Sequence, residues 1–142
     1  MYNLERFVTA QNQTYDGYRT ALSEMRRGYK TNHWIWYIFP QLNSLGKSPP
    51  AVYYGIASLE EAAAYAAHPV LGPRLREIVQ AVLDSDAETA RILMGSEIDY
   101  LKLQSSMTLF EAADPDWDGY ARVLDKYYNG RRDRRTLAKL SL

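Results

Sequence analysis

The chain has 142 residues, 46% of them hydrophobic, and its 17 basic residues balance 17 acidic ones. That length suits one ordinary core, and zero net charge offers no global field to nucleic acid or an anionic membrane. With no cysteine, disulfides, thiol catalysis and thiolate metal sites are excluded together, which fits a reducing compartment, the cytoplasm by default.

The N-terminus, MYNLERFVTAQ, lacks the basic and then apolar regions of a signal peptide. No window approaches the roughly 20 apolar residues that span a bilayer. Leu4, Phe7, Val8 and Gln11 recur at i, i+3, i+4 and i+7 and predict a first helix opening near Asn3. Tyr15, Tyr18, Leu22 and Met25 predict a second, closed by Gly28 in the left-handed conformation. An aromatic block follows, and Pro40 stops any helix through Trp34 to Phe39. Ser, Gly and Pro from Asn43 to Ala51 read as a surface loop, and Val52 to Ile56 as the one plausible extended piece.

Ser58 and Glu61 form a capping box, after which Leu59, Ala62, Ala63, Ala66 and Ala67 make one stripe. His68 ends that helix as a cap, and Pro69 suits the first position of the next, which buries Leu71, Leu75, Ile78, Val79, Val82 and Leu83. A short segment through Arg91, Ile92 and Leu93 stops at Gly95; Ser96 then caps a helix running to about Ala112. Asp114 and Pro115 precede a helix carrying Trp117, Tyr120, Ala121, Leu124, Tyr127 and Tyr128, which ends at Gly130. A last turn holds Thr136, Leu137 and Leu140. The expected fold is therefore all-α: a single domain over residues 1–142, built of about six to eight short helices.

Common catalytic signatures fail by spacing. The eight glycines form neither G-x-G-x-x-G nor a Walker loop, no Ser lies in G-x-S-x-G, and the two His cannot form H-E-x-x-H, so no metal site is expected. Two stretches remain. Lys30 to Pro50 crowds Lys30, His33, Trp34, Trp36, Tyr37, Phe39 and Gln41 together, a composition that builds either a core wall or a pocket wall. On the helix from Asp99 to Phe110, Asp99, Lys102 and Ser106 share one stripe while Ser105 lies on another. Burying Lys102 is costly unless it meets an anion. The structural alternative is a Lys102–Asp99 ion pair, with the serines bonded back to carbonyls four residues earlier.

Arg131, Arg132, Arg134 and Arg135, interrupted by Asp133, either grip phosphate or form a solvated turn with Asp133 paired locally. Sequence-specific nucleic-acid binding is the weakest reading, given zero net charge and aromatics at core spacing.

GYKTNHWIWYIFPQLNSLGKS, EAAAYAAHPVLGPRL, DYLKLQSSMTLF and VLDKYYNGRRDRRTL resemble, in order and spacing, a small bacterial family of unknown function, domain-of-unknown-function family 1810, whose members are often labelled calpastatin. The likeness runs from Leu4 to Leu140 and implies a compact all-α domain, with no established reaction, cofactor or catalytic residue to carry over. The chain departs from the family pattern at Asn32 and at Tyr100, where a second acidic residue is usual. The label implies protease inhibition, yet the chain has no disordered inhibitory repeats.

The leading expectation is a small anionic ligand, a nucleotide or phosphorylated metabolite, held between the His33/Trp36 block and the Lys102/Ser106 helix. His33 would be acid or base, Lys102 the anion stabiliser, and Lys30, Trp36, Gln41, Ser105 and Ser106 the binding groups. The alternative is a protein-interaction module using exposed Tyr and Arg from Tyr127 to Arg135. Cofactors and oligomeric state are not legible.

Overall fold

The helical spacings become ten helices within residues 2–142, the residues that the computed structural model describes. In chain order they are α1 (Glu5–Gln11), α2 (Tyr18–Arg27), α3 (Ile35–Ile38), α4 (Pro49–Tyr53), α5 (Leu59–Ala67), α6 (Leu71–Leu83), α7 (Ala90–Met94), α8 (Glu97–Ala113), α9 (Gly119–Tyr128) and α10 (Arg134–Lys139). The class is all-α as expected, but the count exceeds six to eight. The surplus comes from pieces of four or five residues, α3, α4 and α7, too short to show a helical period.

One of these, α4, overturns the reading of residues 43–56 as a loop followed by an extended piece. Ser48 accepts a hydrogen bond from the Ala51 N–H at 3.3 Å, and Pro49 and Pro50 stand in the first turn, where their φ is already helical. Extended pairing survives only at Ile56, in an isolated parallel bridge to Leu42. Gly55 permits that approach, since a Cβ there would lie 2.3 Å from the Asn43 Cα.

Caps follow the sequence closely. Gly28 takes φ 86°, and the hydroxyls of Ser58 and Ser96 accept the N–H of Glu61 and Asp99, each at 3.1 Å. Glu61 departs from the capping-box pattern: its carboxylate accepts the Ala57 N–H at 2.7 Å and the Arg6 guanidinium at 3.0 Å. That inward turn makes Glu61, Ala62 and Tyr65 the buried face of α5 in place of the predicted alanine stripe. His68 caps as expected, its Nδ1 accepting the N–H groups of Val70 and Leu71, but α6 begins two residues beyond Pro69.

Helix α8 is central, packing against α3, α5, α7, α9 and α10. Leu103, Met107, Leu109 and Phe110 on it are fully buried, among Trp34, Phe7, Phe39, Tyr65 and Tyr120 from the surrounding elements.

The Arg6 and Glu61 side chains are only 9% and 4% exposed. Glu61→Ala strands a buried guanidinium and is expected to cost about 3–5 kcal/mol in urea denaturation. Replacing both partners, Arg6→Met with Glu61→Leu, should recover most of that loss.

Candidate functional site

The turn from α2 into α3 is organised by one carboxylate. Glu24, 1% exposed in the last half of α2, accepts the N–H groups of Thr31 (2.8 Å) and Asn32 (3.1 Å), the Asn32 side-chain amide (2.5 Å) and the Trp34 indole (2.9 Å). Burial by itself would raise its pKa. The hydrogen bonds from Asn32, Thr31 and Trp34 outweigh burial and hold it at about 2. The indole bond draws Trp34 into the core, while Trp36, two residues on, stays partly exposed.

Lys30 enters the same turn from below. Its ammonium lies 2.8 Å from the Asp99 carboxylate, donates to the Asn32 carbonyl at 2.6 Å and sits 5.0 Å from the Trp34 ring centre. Asp99 therefore pairs with Lys30 and not, as the sequence suggests, with Lys102.

Lys102 is left half-buried with its ammonium 5.4 Å over the Trp36 ring, and it makes no ion pair or hydrogen bond among the described residues. Burial pushes its pKa down, Asp99 opposes this, and the nearby Lys30 cation adds to it. Trp36, Phe39, Gln41, Ala51, Tyr54 and Lys102 enclose a recess of about 10 Å³, room for one water-sized group. The Trp36 indole nitrogen is buried without a hydrogen-bond partner, and so is the Ser106 hydroxyl, one turn along α8 from Lys102. The loop between α3 and α4 backs this wall closely: a Cβ on Gly46 would stand 2.5 Å from the Ala51 Cβ and 3.3 Å from the Gln41 amide nitrogen.

Of the residues named from sequence, the fold gathers Trp36, Gln41 and Lys102 at this recess and sets Ser106 on the same face of α8. It does not gather three others. His33 is exposed at the head of α3, and its carbonyl lies 3.3 Å from the Tyr37 hydroxyl. Lys30 spends its ammonium on Asp99. Ser105 points the other way, 3.2 Å from the Leu101 carbonyl and 3.0 Å from the Asp133 carboxylate of the turn into α10. Tyr54 joins the lining unforeseen because its segment reads as an extended piece; burial raises its pKa and keeps the phenol protonated.

The Tyr and Arg cluster is partly consumed by structure. Tyr128 is buried and donates to the Tyr100 carbonyl at 2.7 Å, while Arg132 grips Glu111 with bonds of 2.9 and 2.5 Å. Asp133 caps α10 through the Thr136 N–H instead of pairing with an arginine. Arg131, Arg134 and Arg135 remain exposed.

Residues 1–140 match the family described as a protein of unknown function (DUF1810). The chain belongs to the DUF1810 family. It is also similar to the crystal structure of the conserved hypothetical protein Rv1873 from Mycobacterium tuberculosis, at 47% sequence identity with a TM-score of 0.93, over 99% of this chain and 98% of that one. No curated protein matches. Among the described residues of this DUF1810 chain, no helix is long and apolar enough to cross a membrane.

An unpaired, half-buried cation opposes folding. Lys102→Met is expected to raise the Tm of the ligand-free protein by roughly 2–4 °C at neutral pH. The folded pKa lies below the unfolded one, so the wild type gains stability as pH rises between them. The advantage of the variant should shrink over that alkaline range when thermal unfolding is followed by circular dichroism.

Proposed function

We propose that this DUF1810 chain is a single cytoplasmic helical domain that binds a small anionic group in the recess between Trp36 and Lys102. One observation carries the reading: among the described residues the half-buried Lys102 ammonium makes no ion pair or hydrogen bond and the buried Trp36 indole N–H and Ser106 hydroxyl lack partners, while Glu24, Lys30 and Ser105 are satisfied. Partnerless buried donors cost folding free energy, and an incoming acceptor restores it. No carboxylate lines the recess, so its one cation favours an anion.

The volume sets the size of what enters. About 10 Å³ admits a terminal oxygen of a phosphate or carboxylate and leaves the rest of a nucleotide or phosphorylated metabolite outside. Acid–base chemistry by His33 requires that outer portion to run along α3, whose head the imidazole occupies. Lys30 and Ser105 act in this reading as supports for Asp99 and Asp133, with no contact to ligand.

A second reading, a protein-interaction face, draws on an open groove of about 830 Å³ lined by Gln104, Arg131, Arg132, Asp133, Arg134 and Leu137. Its unpaired cations among the described residues are Arg131 and Arg134, and no tyrosine lines it. A change at Lys102 leaves it untouched, so the two readings separate.

Thermal unfolding in phosphate, AMP and chloride at matched ionic strength tests the first reading. Near-saturating phosphate or AMP is expected to raise the wild-type Tm by about 3–5 °C over chloride, with no such rise for Lys102→Met. Equal shifts in both proteins, or none in either, would overturn it.

A further inference from the structure

We propose that the side-chain amine of Lys102 is a nucleophile that captures small aldehydes and 2-oxo acids as a Schiff base at the mouth of the recess. This goes beyond anion binding and does not depend on it. The chain has five lysines. Lys30 is held by Asp99, and Lys126 donates to the carbonyls of Leu83 and Ser85 at 2.7 and 2.8 Å. Lys47 and Lys139 are exposed and solvated. Lys102 alone is half-buried against an aromatic wall with no hydrogen bond or ion pair among the described residues.

Burial disfavours the ammonium there, while the Trp36 face attracts it. A lysine becomes nucleophilic when desolvation or a neighbouring cation disfavours its charged form, and both act here, through Ile35, Trp36 and Phe39 and through Lys30. The charged and titratable groups facing it are Asp99 on its own helix, Lys30 from the turn before α3, and Tyr54 from α4. Asp99 opposes the loss of the proton from Lys102, and Lys30, which pairs with Asp99, offsets part of that pull. Tyr54 remains a protonated phenol in the same lining, a donor for a carbonyl oxygen.

The chemistry closes without a further reagent. The nitrogen lone pair of the neutral amine attacks the carbonyl carbon and forms a C–N bond, and the carbonyl oxygen takes up one proton released by the nitrogen. The carbinolamine then expels that oxygen as water with the second nitrogen proton, which leaves a C=N bond. In a 2-oxo acid the carboxylate sits on the carbon next to the carbonyl, and Trp36, whose indole N–H has no partner among the described residues, belongs to the same lining. The recess admits one small group, so the remainder of the compound stays outside at its mouth.

Glyoxylate with sodium cyanoborohydride on the intact protein, followed by peptide mass spectrometry, counts carboxymethylation at each lysine. The wild type is expected to react several-fold faster at Lys102 near neutral pH than at Lys47 or Lys139, since a lowered pKa enlarges the fraction of neutral amine. Its rate should also level off at lower pH than theirs. A Lys102 rate equal to or below that of the exposed lysines, or the same pH midpoint for all, overturns the inference. Phosphate at constant ionic strength should slow Lys102 selectively if the recess also holds anions. Fast labelling that phosphate leaves unchanged supports the nucleophile and removes the anion-binding reading.

Discussion

The Lys30–Asp99 ion pair decides the character of the whole site. It ties the turn after α2 to the first turn of α8, with only 5% and 16% of the two side chains exposed. By taking the acidic group that stands three residues before Lys102, it leaves that second lysine without a counterion. A swap of partners would make Lys102 an ordinary helix-surface residue and leave Lys30 as the buried, unpaired cation. The difference rests on reach: the turn held by Glu24 carries Lys30 over Asp99, while Lys102 leaves the helix toward the Trp36 ring.

Around that pair the molecule satisfies its buried polar groups almost everywhere. Glu24 accepts four donors, Glu61 meets Arg6 and the Ala57 N–H, Gln11 donates to the Tyr37 carbonyl and the Tyr65 hydroxyl, and Asp133 meets Ser105 and Thr136. Against this background the two buried side-chain atoms without a partner among the described residues, on Trp36 and Ser106, stand out. A fold that saturates its other hydrogen bonds and leaves donors free beside one desolvated cation has concentrated its local instability there, as binding sites commonly do.

Much of this was legible in advance. Apolar spacing located the longer helices, and Ser58, Ser96, Gly28 and Gly95 marked ends that the structure keeps. The two segments that build the recess were also visible, because Trp36, Gln41, Lys102 and Ser106 stood out as polar or amphipathic groups in otherwise apolar runs. What spacing could not show was α4, a helix too short for any period, and with it Tyr54. Tyr128 was open to two readings, since helical spacing put it on the face of Trp117, Tyr120 and Leu124 while the interaction reading needed it exposed; its ring stacks at 4.8 Å on Tyr100 of another helix.

The sequence by itself determined the helical class, most helix ends and the presence of a lysine on a buried helix, since these depend on neighbours within about one turn of chain. Only the tertiary structure decided which cation Asp99 takes, that Ser105 meets Asp133 while Ser106 is left without a partner, and that His33 stays in solvent. Those outcomes turn on distances between residues far apart along the chain.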